Sequence, residues 1–131
     1  MQQTMLGKHL FEYAVIRVVP RVEREEFINV GVVVFCAKLK FLDILYLVDE
    51  KKLSIFCSRI DPEEILANLK SIEKICAGGS GGGPIGLLDL PSRFRWLTAT
   101  RSTVVQPSKV HPGFCENPSA TLEKLFQQLV C

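Results

Sequence analysis

Three runs rich in β-branched and aromatic residues, Phe11 to Val19, Ile28 to Cys36 and Phe41 to Val48, follow one another with short links between them. Such residues suit extended backbone, and Pro20, which has no N–H to give to a ladder, ends the first run. The link Ala37 to Lys40 is short enough to make the second and third runs an antiparallel hairpin. Apolar residues fall on both faces of each run, so the sheet needs helices over at least one side.

The covering helices have their own signals. Asp61-Pro62-Glu63-Glu64 predicts a helix start, with Asp61 as cap and Pro62 at the first helical position. Ile65, Leu69, Ile72 and Cys76 then recur at helical spacing, and Gly78 is a natural stop. Asn117-Pro118 opens a second helix whose apolar stripe is Leu122, Leu125, Phe126, Leu129 and Val130. A shorter helix over Glu50 to Cys57, capped by Asp49, is also expected. Together these predict an α+β fold, a mainly antiparallel sheet of about four to five strands with two or three packed helices.

At 131 residues the chain is sized for a single domain over residues 1–131 that buries a core without staples. The run Gly78 to Pro84 contains GGSGGG, follows a helix and lacks the Lys-Ser/Thr ending of a phosphate loop, so a flexible link is expected there. The net charge of +2 is too small to imply nucleic acid by itself. No secretory leader is legible in the polar start, and no apolar run reaches the roughly 20 residues of a membrane span, so a cytoplasmic protein is expected. Five cysteines lie far apart with no C-x-x-C pair, which predicts buried thiols, with neither a disulfide framework nor a metal site. No cofactor motif is present.

Residues 92–111 carry Arg93, Arg95, Arg101 and Lys109 and no acid. In extended backbone Arg93 and Arg95 share one face and Phe94 and Trp96 the other. The arginines then either stand in water beside a half-buried strand or form a receptor for phosphate or carboxylate groups.

The order of segments resembles the family of small, mostly bacterial proteins catalogued as domain of unknown function 3037. The likeness is carried by Tyr13-Ala14-Val15-Ile16-Arg17-Val18-Val19-Pro20 and Glu26-Phe27-Ile28-Asn29-Val30-Gly31-Val32. In the second half it continues through Arg93-Phe94-Arg95-Trp96-Leu97-Thr98, Arg101-Ser102, Val105-Gln106, Val110-His111-Pro112-Gly113 and Leu122-Glu123-Lys124-Leu125-Phe126. The resemblance implies no activity. It does suggest an accessory role beside a HipA-like kinase.

Arg17 stands in an otherwise apolar strand and needs a partner, for which Glu25 or Glu26 is placed by the returning connection. Asn29 suits hydrogen bonding to loop backbone, and Gly31 within a strand predicts a bulge or a close approach. These features can all serve to hold one strand connection in shape. The functional alternative brings Glu26 and Asn29 to Arg101, Ser102 and His111, with Glu26 or His111 as general base and Arg101 holding an anion. The full candidate binding set is Glu26, Asn29, Arg93, Arg95, Arg101, Ser102 and His111. The chain has no H-E-x-x-H, no G-x-S-x-G and no paired Cys/His arrangement, so no catalytic residue is assigned. The function expected is a non-catalytic protein-interaction module. Nucleic-acid binding through residues 93–109 and a small enzyme acting on an anionic substrate are the alternatives.

Overall fold

A computed structural model describes residues 7–20, 26–101 and 103–131. The three β-branched runs are strands β1 (His9–Val18), β2 (Ile28–Cys36) and β3 (Phe41–Tyr46). They pair antiparallel, with β1 between β2 and a second flank made of β4 (Val105–Pro107) and β5 (His111–Cys115). These last two lie end to end along the same side of β1. The loop between them is stitched to β1 by Ser108, whose N–H donates to the Val15 carbonyl while its Oγ accepts from the Val15 N–H.

Helices cover both faces of this sheet. On one side Ala14, Ile16, Val18, Val33, Phe35 and Ile44 form a core with Leu53 of α1 (Glu50–Phe56) and with Ile65, Leu69 and Ile72 of α2 (Pro62–Ala77). Phe94 and Leu97 of α4 (Leu90–Leu97) complete it, and the Phe35 and Phe94 rings stack at 4.9 Å. On the other side Phe11, Val32, Val34, Cys36 and Cys115 lie beneath Leu122, Leu125 and Phe126 of α5 (Pro118–Leu129). The expected caps are in place. Asp49, Asp61 and Asn117 each accept from backbone N–H groups of the helix they start, satisfying donors the helix cannot.

Gly31 meets both expectations. The β1–β2 register shifts between Ile16, which faces Gly31, and Arg17, which faces Asn29, so Val30 is the extra residue of a bulge. A Cβ on Gly31 would also stand 3.1 Å from the Leu45 carbonyl oxygen and 3.2 Å from the Tyr46 Cβ. The bulge turns Val30 into the core beneath α2 and leaves Asn29 level with Arg17 on the α5 side.

Two expectations are corrected. Residues 90–97 are helical, where an extended segment was expected around Arg93 to Trp96. Asp89 accepts from the Ser92 N–H, Pro91 lies in the first turn, and Phe94 and Leu97 three residues apart reach the same core, so cap and spacing together favour helix. The Gly-rich stretch, expected as a flexible link, is a 3-10 turn (Ser80–Gly82) followed by the single turn α3 (Gly83–Gly86). Its glycines allow close backbone packing: a Cβ on Gly86 would fall 2.3 Å from the Gly79 oxygen, and one on Gly82 would lie 3.1 Å from the Ile75 Cα.

Candidate functional site

Arg93 belongs to the fold. Its Nη1 donates to the carbonyls of Ile75 and Cys76 at 2.8 and 2.9 Å, and its Nε to the Leu88 carbonyl at 3.1 Å. Those at 75 and 76 are carbonyls of the last turn of α2, where a cation also complements the helix dipole. Gly78 leaves room for the side chain, since a Cβ there would be 2.9 Å from Arg93 Nη1. Beside it, burial pushes the Cys76 thiol up to about 12; Asp43 adds to that rise and Arg93 offsets part of it.

Arg101 folds back onto α4. Its guanidinium lies 4.4 Å over the Trp96 ring, and Nη2 donates to the Trp96 carbonyl. Burial pulls it below the usual arginine value, still far above neutral pH. Arg95 and Lys109 are exposed on different elements. Ser102 lies outside the described residues, as does Glu25, one of the two partners expected for Arg17.

Asn29 and His111 sit on the other side of the sheet. Asn29 Nδ2 donates to the Leu129 carbonyl at the end of α5 at 3.0 Å. His111 is exposed, and its ring lies 5.2 Å from Tyr13, its cross-strand partner, which packs against the α5 core. Glu26 is exposed just before β2. Asn29 and His111 therefore face α5, while Arg93, Arg95 and Arg101 belong to α4 and the turn after it.

Two groupings come from register instead. The first is polar. Asn29, Arg17 and Gln106 are Cα partners across β2, β1 and β4, so their side chains share one face about 5 Å apart. Each has a buried atom with no hydrogen-bond partner, namely Asn29 Oδ1, Arg17 Nε and Gln106 Nε2. Such an atom costs about 1–3 kcal/mol when left unsatisfied. Arg17 is held by a ring, with its guanidinium carbon 4.1 Å from the Phe27 centroid.

The second grouping is apolar. Leu10 and Phe114 are partners across β1 and β5, on the face that α2 and α4 cover further along β1. They stand 54% and 51% exposed, with Val110 and Pro112 also exposed on the same flank. Glu12, opposite Pro112, and Lys38 lie nearby and give the patch a charged rim. The strand edges are less available for pairing. Asp43 of β3 accepts from the Ile44 N–H, and Pro112 of β5 has no N–H to offer.

The sequence flagged Arg17 and Asn29 singly, but Gln106 gave no signal, because nothing short of register places it beside them. Leu10 and Phe114 likewise read as ordinary strand residues.

Fold and surface together define an α+β protein of three layers, with a helix-covered sheet and one apolar flank left open. The chain belongs to the family described as Protein of unknown function (DUF3037), whose model matches residues 13–130. That span includes Arg17, Asn29, Gln106 and Phe114, and Leu10 lies just ahead of it. No curated protein and no solved structure matches the chain. Among the described residues, no helix is long and apolar enough to cross a membrane, and no group of three or more His, Cys, Asp or Glu could hold a metal ion.

Proposed function

We propose that this protein is a non-catalytic accessory module that binds another protein through the open flank of β1 and β5. The observation that carries this is the Leu10–Phe114 pair, two large apolar side chains half in water and directly opposite each other. An aromatic and an aliphatic anchor inside a charged rim is the composition of an interface centre. The blunted edges favour contact through side chains over strand addition. A HipA-like kinase is the first partner to test, on the family resemblance alone.

The alternatives have less support. Nucleic-acid binding through residues 93–109 needs a row of free cations, and Arg93 and Arg101 are both engaged with backbone carbonyls. An enzyme using Asn29 with Arg101 needs one substrate to reach side chains held by helices on opposite sides of the sheet.

The test is a tagged pull-down from the native host at low expression, with and without nuclease, comparing wild type with Leu10→Ser/Phe114→Ser. One stoichiometric protein that survives nuclease and is lost with the double variant is expected. Recovery that vanishes with nuclease, or that the variant leaves unchanged, sinks the proposal.

A further inference from the structure

The polar row across β2, β1 and β4 has a definite donor and acceptor pattern. Asn29 Nδ2 is fixed by the Leu129 carbonyl, so the unpartnered side of that amide is the oxygen, an acceptor. Arg17 Nε and Gln106 Nε2 are unpartnered donors beside it. Among the described residues these three are the buried side-chain polar atoms that lack a hydrogen bond, and register brings all of them together. Phe27 lies against the flat face of the Arg17 guanidinium and leaves the Nε edge unbonded. That edge presents parallel N–H groups, the fork that matches the two oxygens of a carboxylate.

We propose that Arg17, Gln106 and Asn29 bind a small carboxylate that carries a neighbouring N–H, as in a free amino acid or the C-terminal residue of a peptide. The carboxylate accepts from Arg17 and Gln106, and the N–H donates to Asn29 Oδ1. A fully ionised phosphate satisfies the two donors but sets an oxygen against Asn29 Oδ1, acceptor to acceptor. Access is available, since Arg17 and Gln106 are half-buried and Phe27 is 45% exposed. Asn29 also lines a cleft of about 260 Å³ between the start of β2, α1 and the end of α5, with Asp49 and Lys52 on its wall. That volume is below the roughly 300–1,000 Å³ of drug-sized sites and suits a ligand of a few heavy atoms.

The experiment follows the Arg17 Nε–H and the Asn29 and Gln106 NH₂ signals of the full chain by ¹H–¹⁵N correlation spectroscopy. Glycine, N-acetylglycine, acetate and inorganic phosphate are titrated separately. Glycine or N-acetylglycine is expected to move all three groups saturably with a Kd of about 1 mM or tighter, and acetate to bind about tenfold more weakly. The tighter of the first two tells a free amino acid from a peptide end. Gln106→Leu, close in size, is expected to weaken the better ligand about tenfold. Signals that do not saturate by about 50 mM of any probe, or acetate and phosphate binding as tightly as glycine, would mean that water alone fills the row and overturn the proposal.

Discussion

Two arginines on opposite sides of one sheet have opposite surroundings. Arg93, at the junction of α2 and α4, donates to three backbone carbonyls and sits where Gly78 makes room for it. Arg17, in the middle of β1, has a buried Nε with no partner and neighbours on both flanking strands with the same deficit. The first pattern is that of a side chain closing the fold, with its hydrogen-bonding capacity used on its own backbone. The second is that of a surface still short of partners. Residue type does not separate them, but the count of satisfied donors does.

Removing each arginine should therefore have unequal effects. Arg93→Met leaves the Ile75, Cys76 and Leu88 carbonyls without that donor and should lower stability by about 2–3 kcal/mol in urea unfolding. A loss below about 0.5 kcal/mol would break the contrast at its strong end. The same junction should show a pH dependence through Cys76, whose folded-state value of about 12 lies above its ordinary 9.0 because of burial. Below pH 9 both states keep the proton and the contribution is complete; as pH rises from 9 toward 12 the unfolded chain ionises first and stability falls. The slope from this one thiol approaches about 1.4 kcal/mol per pH unit, read as the wild-type slope minus that of Cys76→Ala.

Arg17→Met should change stability by less than about 1 kcal/mol in either direction, because it removes a donor that had no partner. A loss as large as that of Arg93→Met would show that Arg17 also closes the fold. The smallest stability effect belongs to Leu10→Ser/Phe114→Ser, at about 0.5 kcal/mol per site by thermal unfolding, since both side chains are already half in water. A change of several kcal/mol would place them in the core and remove the open flank.

Much of the fold is legible in the residues because its signals are local. β-Branched runs marked β1 to β3, and Asp or Asn caps, two of them followed by proline, marked α1, α2 and α5. The helix α4 was hidden because Arg93-Phe94-Arg95-Trp96 alternates like a strand, while the opposing signal, Asp89 with Pro91 and the Phe94–Leu97 spacing, lies mostly ahead of it. The glycine run misled for a related reason. Composition reports freedom of the unfolded chain, but Gly82 and Gly86 are there because backbone passes too close for a Cβ. The polar row and the apolar flank depend on register across strands far apart in sequence, with one bulge resetting Asn29 against Arg17. Only the bulge itself had a local sign, in Gly31.

The most direct measurement is the affinity, by titration calorimetry, of the protein captured in the nuclease-treated pull-down for wild type and for Leu10→Ser/Phe114→Ser, each at low and high salt. Loss of at least about tenfold with the double variant, with little effect of salt on the wild-type affinity, is the expected result for an apolar interface centred on β1 and β5. Equal affinity for both chains, or binding that disappears with salt, would contradict it.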